Sequence, residues 1–161
     1  MEINIEQTPY ETGPVESLSE ALLAFVEAYD KLQVVISDAI ESEILEVGQE
    51  RYFARFRDTL KLTMYGPVSP QGESRASLSL YEIGVVYFPG AHKYSIHKGK
   101  LEKALRVRGD DIQSLFVQSD GLLPRLCEML PEFLEYEPPE KVYTAALRFL
   151  NECRRLTAMW V

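Results

Sequence analysis

SLSEALLAFVEAYDKLQVVISDAIESEILEVG, residues 17–48, carries apolar side chains three and four positions apart along almost its whole length. Leu18, Leu22, Phe25, Val26, Tyr29, Leu32, Val35, Ile36, Ala39, Ile40, Ile44 and Val47 form one stripe through about eight helical turns. Ser17 followed by Glu20 reads as a capping box at the start, and Gly48 as the stop. The β-branched run Val34 to Ile36 could break the pattern, so one helix or two both remain open. The face opposite the stripe is acidic: Glu20, Glu27, Asp30, Asp38, Glu41, Glu43 and Glu46, with Lys31 as its only base.

Downstream the period changes. Residues 51–57, RYFARFR, fit a helical turn or the start of a strand. Leu60, Leu62 and Met64 alternate with polar neighbours and predict a strand. GPVSPQGES, residues 66–74, reads as a loop. Leu78, Leu80, Ile83, Val85 and Tyr87 predict a second strand, with a β-bulge at Tyr81-Glu82 restoring the phase. Pro89-Gly90 reads as a turn, and residues 93–97 as a third strand. LEKALRV after Gly99 fits a short amphipathic helix broken by Gly109-Asp110-Asp111. Ser114 to Gln118 fits a short buried strand. Two helices close the chain: one through LLPRLCEMLPEFLEY, with Pro131 expected to kink or end it, and one after Pro138-Pro139. The last has an apolar face of Val142, Ala146, Phe149, Leu150, Cys153, Leu156 and Trp160.

The expected class is α+β: a long N-terminal amphipathic helix, a small antiparallel meander and a helical C-terminal region. Residues 1–16 are expected to be an arm, and residues 17–161 one domain, since 161 residues suffice to bury about 70% of the unfolded surface. The element order and acidity are similar to those of small secretion chaperones, acidic α+β dimers that hold a client, by pattern alone.

Charge is divided along the chain. Residues 1–50 hold twelve acids and one base, a balance of −11, within an overall −8. Residues 92–108 hold six bases against Glu102, a balance of +5, and contain both histidines. Three readings follow. The two segments attract each other within the fold; the basic segment binds an anion; or the acidic helix meets a basic partner. An anion site would use His92, Lys93, His97, Lys98, Lys100, Lys103, Arg106 and Arg108, with Tyr87, Phe88 and Tyr94 available to stack on bases. The net negative charge opposes a polyanion.

No phosphate-loop, dinucleotide, nucleophile-elbow or zinc-protease motif occurs. His92 and His97, five apart, converge only if one lies in a loop. The two cysteines, Cys127 and Cys153, lie in no ligand cluster, so no metal or other cofactor is expected. They read as buried thiols of a reducing compartment. The acidic N-terminus does not resemble a secretory leader, and no apolar run reaches the ~20 residues that span a bilayer. The setting expected is cytoplasmic, without a membrane partner.

The stripe is long for so small a sheet to cover, and the chain ends on Met159, Trp160 and Val161. Leu22, Phe25, Tyr29, Glu41 and Trp160 are therefore the expected partner-binding residues. The function expected is a non-catalytic interaction protein (adaptor, chaperone-like or inhibitory subunit) binding a protein or itself as a homodimer. A nucleic-acid or nucleotide-binding subunit is the alternative, and an enzyme using His92 and His97 the third. On the first reading, Leu22→Asp or Phe25→Asp should break association.

Overall fold

A computed structural model describes residues 13–66, 78–88, 90 and 93–160. Residues 1–12 of the expected arm, residues 67–77, which hold most of the expected loop, Pro89, Ala91, His92 and Val161 lie outside the described residues.

The described chain is mostly helical, with one small two-stranded antiparallel sheet, an α+β arrangement in the broad sense. Helix α1 spans Gly13–Glu41 and α2 Gln49–Tyr65. A one-turn 3-10 helix at Leu80–Ile83 leads into the hairpin β1 (Val85–Phe88) and β2 (Lys93–Ile96). Helices α3 (Lys98–Val117), α4 (Leu122–Glu135) and α5 (Glu140–Ala158) complete the order.

The stripe forms one helix with no break at Val34 to Ile36, but its ends differ from those expected. It starts at Gly13, so Gly13 to Glu16 belong to the helix and Ser17 lies inside it. It stops at Glu41. The Ser42 amide and hydroxyl both donate to the Asp38 carbonyl, at 2.9 and 2.7 Å. Glu43 then takes a left-handed conformation (φ 57°), which redirects the chain before Gly48 is reached. Ile44 and Val47 therefore leave the stripe.

The expected meander reduces to a hairpin. Leu60 to Tyr65 is helix, not strand: Leu60 and Met64, four apart, are buried, while Leu62 between them is 74% exposed. In place of the bulge at Tyr81-Glu82 stands the 3-10 turn, closed by Gly84 at φ 109°. A Cβ at Gly84 would also lie 2.9 Å from the His97 carbonyl oxygen. The hairpin pairs Val85 with Ile96, Tyr87 with Tyr94 and Phe88 with Lys93. Ser114 to Gln118 is the end of α3, not a strand; Ile112, Leu115 and Phe116 are buried at helical spacing. The expected break at Gly109-Asp110-Asp111 falls one residue earlier, at Arg108, whose φ −130°, ψ 35° are not helical and divide α3 into two segments across a kink. Pro131 is accommodated inside α4, which continues to Glu135.

Helix α1 lies at the centre. It packs most extensively against α5, and also against α2, α3 and β2. Phe25 meets Phe149 of α5 with ring centroids 5.2 Å apart, and Phe56 of α2 stacks on Phe133 of α4 at 3.9 Å. One continuous hydrophobic cluster draws on all five helices and the hairpin. The α5 face expected from sequence is buried at every position.

A candidate interaction surface at the end of the long helix

Four of the five residues expected to meet a partner are in the core. Leu22 and Phe25 have no exposed surface, Tyr29 is 3% exposed and Trp160 5%. The reason is coverage: α5, more than a hundred residues downstream, lies along the stripe that the sheet alone could not cover. Glu41 is exposed, at the last position of α1.

The corner that follows Glu41 is the most distinctive open surface. Ile44 is 61% exposed and Val47 fully exposed. Asp38, Glu41, Glu43, Glu46 and Glu50, all exposed, lie in the same stretch of chain. Positions 38–50 contain no base. A hollow opens on each side. Ile40, Val47, Gly48 and Ala54 line one with Glu50 and Arg51. Val35, Ala39, Ile44, Pro139 and Val142 line the other together with Asp38, Ser42, Glu140 and Lys141. The corner is held in shape by Gln49, whose side-chain oxygen accepts from the Glu46 amide at 3.1 Å. Two apolar tips beside hollows with apolar lining, in a segment of exposed carboxylates, suit a partner with apolar side chains and positive charge. By sequence Ile44 and Val47 belong to the apolar stripe, because their spacing continues its period. The turn-forming Ser42 was the signal of their release.

The basic segment is largely engaged within the molecule. Lys98 approaches Glu16 at 3.8 Å, Arg106 pairs with Glu102, and Arg108 bridges Asp111 (3.1 Å) and Glu82 (3.5 Å). Lys100 donates to the Tyr81 carbonyl at 3.1 Å and sits 4.5 Å from the centre of its ring. Lys93 lines a small hollow with Glu27, Asp30 and Lys31, and Lys103 is exposed. His97 caps α3, its Nδ1 accepting the Lys100 amide at 2.9 Å. The pairing of His92 with His97 lies outside the described residues. Among the described residues no three His, Cys, Asp or Glu side chains gather to hold a metal, and no helix is long and apolar enough to cross a membrane.

A tyrosine cluster ties α1, α2 and the hairpin together. The Tyr65 and Tyr94 hydroxyls share a hydrogen bond. Tyr29 meets Tyr65 edge-on at 5.7 Å, and Gln33 donates to the Tyr29 oxygen at 3.0 Å. Burial pushes Tyr29, Tyr65 and Tyr94 above the ordinary tyrosine value. Tyrosines of the unfolded chain ionise near pH ~10, so above that pH the unfolded chain binds fewer protons than the folded one. Stability is thus complete below pH ~10 and falls above it, with a slope approaching about 1.4 kcal/mol per pH unit from Tyr29 alone. Urea unfolding between pH 9 and 11 should show this fall, and Tyr29→Phe should make it shallower. An unchanged slope in Tyr29→Phe would remove the cluster as its source.

No protein-family model matches this chain, and neither a curated protein nor a solved structure was found to match it.

Proposed function

We propose that this chain is a non-catalytic protein-interaction module, of adaptor, chaperone-like or inhibitory type, and that its contact surface is the corner at residues 38–50. One observation carries the reading: Ile44 and Val47 stand open in a segment that also exposes five carboxylates and holds no base. Exposed apolar tips cost solubility unless used, and the carboxylates select a basic partner and speed its approach. A cytoplasmic setting accords with two free thiols, both raised in pKa by burial, Cys153 well above the ordinary value. A nucleic-acid site on residues 92–108 has less support, because Lys98, Arg106 and Arg108 already face carboxylates of their own chain.

The test uses a synthetic lysine/leucine amphipathic helix as probe, titrated with fluorescence anisotropy at low salt. Wild-type protein should bind it. Ile44→Ser/Val47→Ser should weaken binding at least about tenfold, the loss of roughly 1.4 kcal/mol that burying two aliphatic side chains readily supplies. Both residues are exposed, so stability should change by under about 0.5 kcal/mol per site. Equal affinity in wild type and the double variant would exclude the corner as the contact surface.

A further inference from the structure

The interaction reading leaves the partner's identity open, and the charge layout of the molecule bears on it. Lys100, Lys103 and Val107 share one face of α3 by their spacing of three and four, and all are exposed, Val107 by 72%. Tyr81, 67% exposed, lies beside them, its ring and carbonyl holding the Lys100 ammonium in place. Among the described residues neither Lys100 nor Lys103 has an ion pair with a carboxylate. This face is the counterpart of the acidic corner: two exposed apolar side chains with two lysines, against two exposed apolar side chains with five carboxylates.

The two surfaces stand far apart in one molecule. The contact of Lys98 with Glu16 sets the start of α3 beside the start of α1. Glu41 closes α1 twenty-five residues beyond Glu16, about 38 Å along the helix axis. The basic face begins near one end of the long helix and the acidic corner lies at the other.

Resting on the interaction reading above, we infer that the corner of one molecule docks on the Tyr81–Lys100–Lys103–Val107 face of a second copy of this chain. Such a contact joins two different surfaces, so it is head-to-tail. An open assembly therefore keeps one free surface of each kind, one at each end, and extends unless a ring closes. The patches are small and the net charge of −8 repels like molecules, so the contact is weak and grows with concentration.

Full-length protein should therefore gain average mass in sedimentation velocity as its concentration rises to about 300 μM, where a contact with Kd near 100 μM is well populated. Ile44→Ser/Val47→Ser loses the corner, and Lys100→Glu/Lys103→Glu loses the α3 face. Each variant alone should stay monomeric. Mixed, they should form a one-to-one pair and nothing longer, because only one intact contact remains. All four substitutions fall on exposed positions, and circular dichroism checks that each variant is folded. Wild type that stays monomeric throughout overturns the inference. So does Lys100→Glu/Lys103→Glu dimerising by itself, which would show a symmetric corner-to-corner contact. The lysine/leucine peptide, titrated on the same preparation, separates the two readings: a monomer that binds it keeps the interaction surface and loses only the self-partner.

Discussion

Phe25→Ala is expected to lower the unfolding free energy by about 3–5 kcal/mol, the range for deleting a fully buried phenylalanine. Phe25 has no exposed surface. Its ring stacks obliquely on Phe149, in the seam between α1 and α5 that forms the largest helix contact of the molecule. Removing it opens a cavity between two long helices whose approach is limited by Tyr29, which meets the same Phe149 ring at 5.9 Å. Phe25→Asp goes further. An unpaired carboxylate there must be buried or neutralised, which exhausts most of the ~5–15 kcal/mol that holds a domain together. That variant should not fold, so its failure to associate would report on the fold and not on a surface. Urea unfolding by circular dichroism measures the alanine variant, with Ile44→Ser as the exposed control. A Phe25→Ala loss below 1 kcal/mol would mean that the α1–α5 seam is not the core in solution.

Helical periodicity was legible wherever it ran long. Leu18 to Ala39 and Val142 to Leu156 are buried at the positions their spacing indicates, because a stripe sustained over five or more turns has no alternative period. Short windows misled. Leu60 and Met64 satisfy both a strand's alternation and a helix's i, i+4 spacing, and only the exposure of Leu62, which a strand would bury on their shared face, distinguishes them. SLFVQ at 114–118 is too short to carry a period at all. Helix ends escaped for a different reason. Glu43, with no glycine's freedom, adopts the left-handed turn that Gly48 was expected to make.

The candidate surface was legible in charge and not in shape. The acidic run and Glu41 were evident from composition, and the carboxylates are exposed as expected of charge. Which apolar residues stand among them depends on what covers the stripe. Periodicity marks a face as apolar without naming its cover, and here the cover is α5, beyond the reach of any local pattern. The stripe therefore exchanged roles: Leu22, Phe25 and Tyr29 became core, while Ile44 and Val47 became surface. The basic segment shows the same limit. Its charges were countable, but their partners Glu16, Glu82 and Asp111 are set by the tertiary fold.

Trp160→Ala should cost about 3–5 kcal/mol, although Trp160 stands one residue from the last position. A terminal aromatic is ordinarily a frayed group of little consequence. Here the indole is 5% exposed and stacks on Phe116 with centroids 4.9 Å apart and planes 25° from parallel. Phe116 is itself fully buried, in the half of α3 beyond the Arg108 kink. The tail is brought there by a final turn in which the Met159 and Trp160 amides bond back to the Leu156 and Thr157 carbonyls, both at 3.1 Å. The indole thus joins the end of α5 to a helix segment that the kink has detached from the direction of its basic half. Truncating it uncovers Phe116 as well as forfeiting its own burial, so the cost should exceed that of an exposed terminal residue severalfold. Trp160→Phe keeps an aromatic plane against Phe116 and should cost less than half as much. Because Trp160 is the single tryptophan, its fluorescence in the wild type reports the same docking, and iodide should quench it weakly until the protein unfolds. Strong quenching of the folded protein, together with a near-neutral Trp160→Ala, would place the indole in solvent and remove it as a support of the distal half of α3.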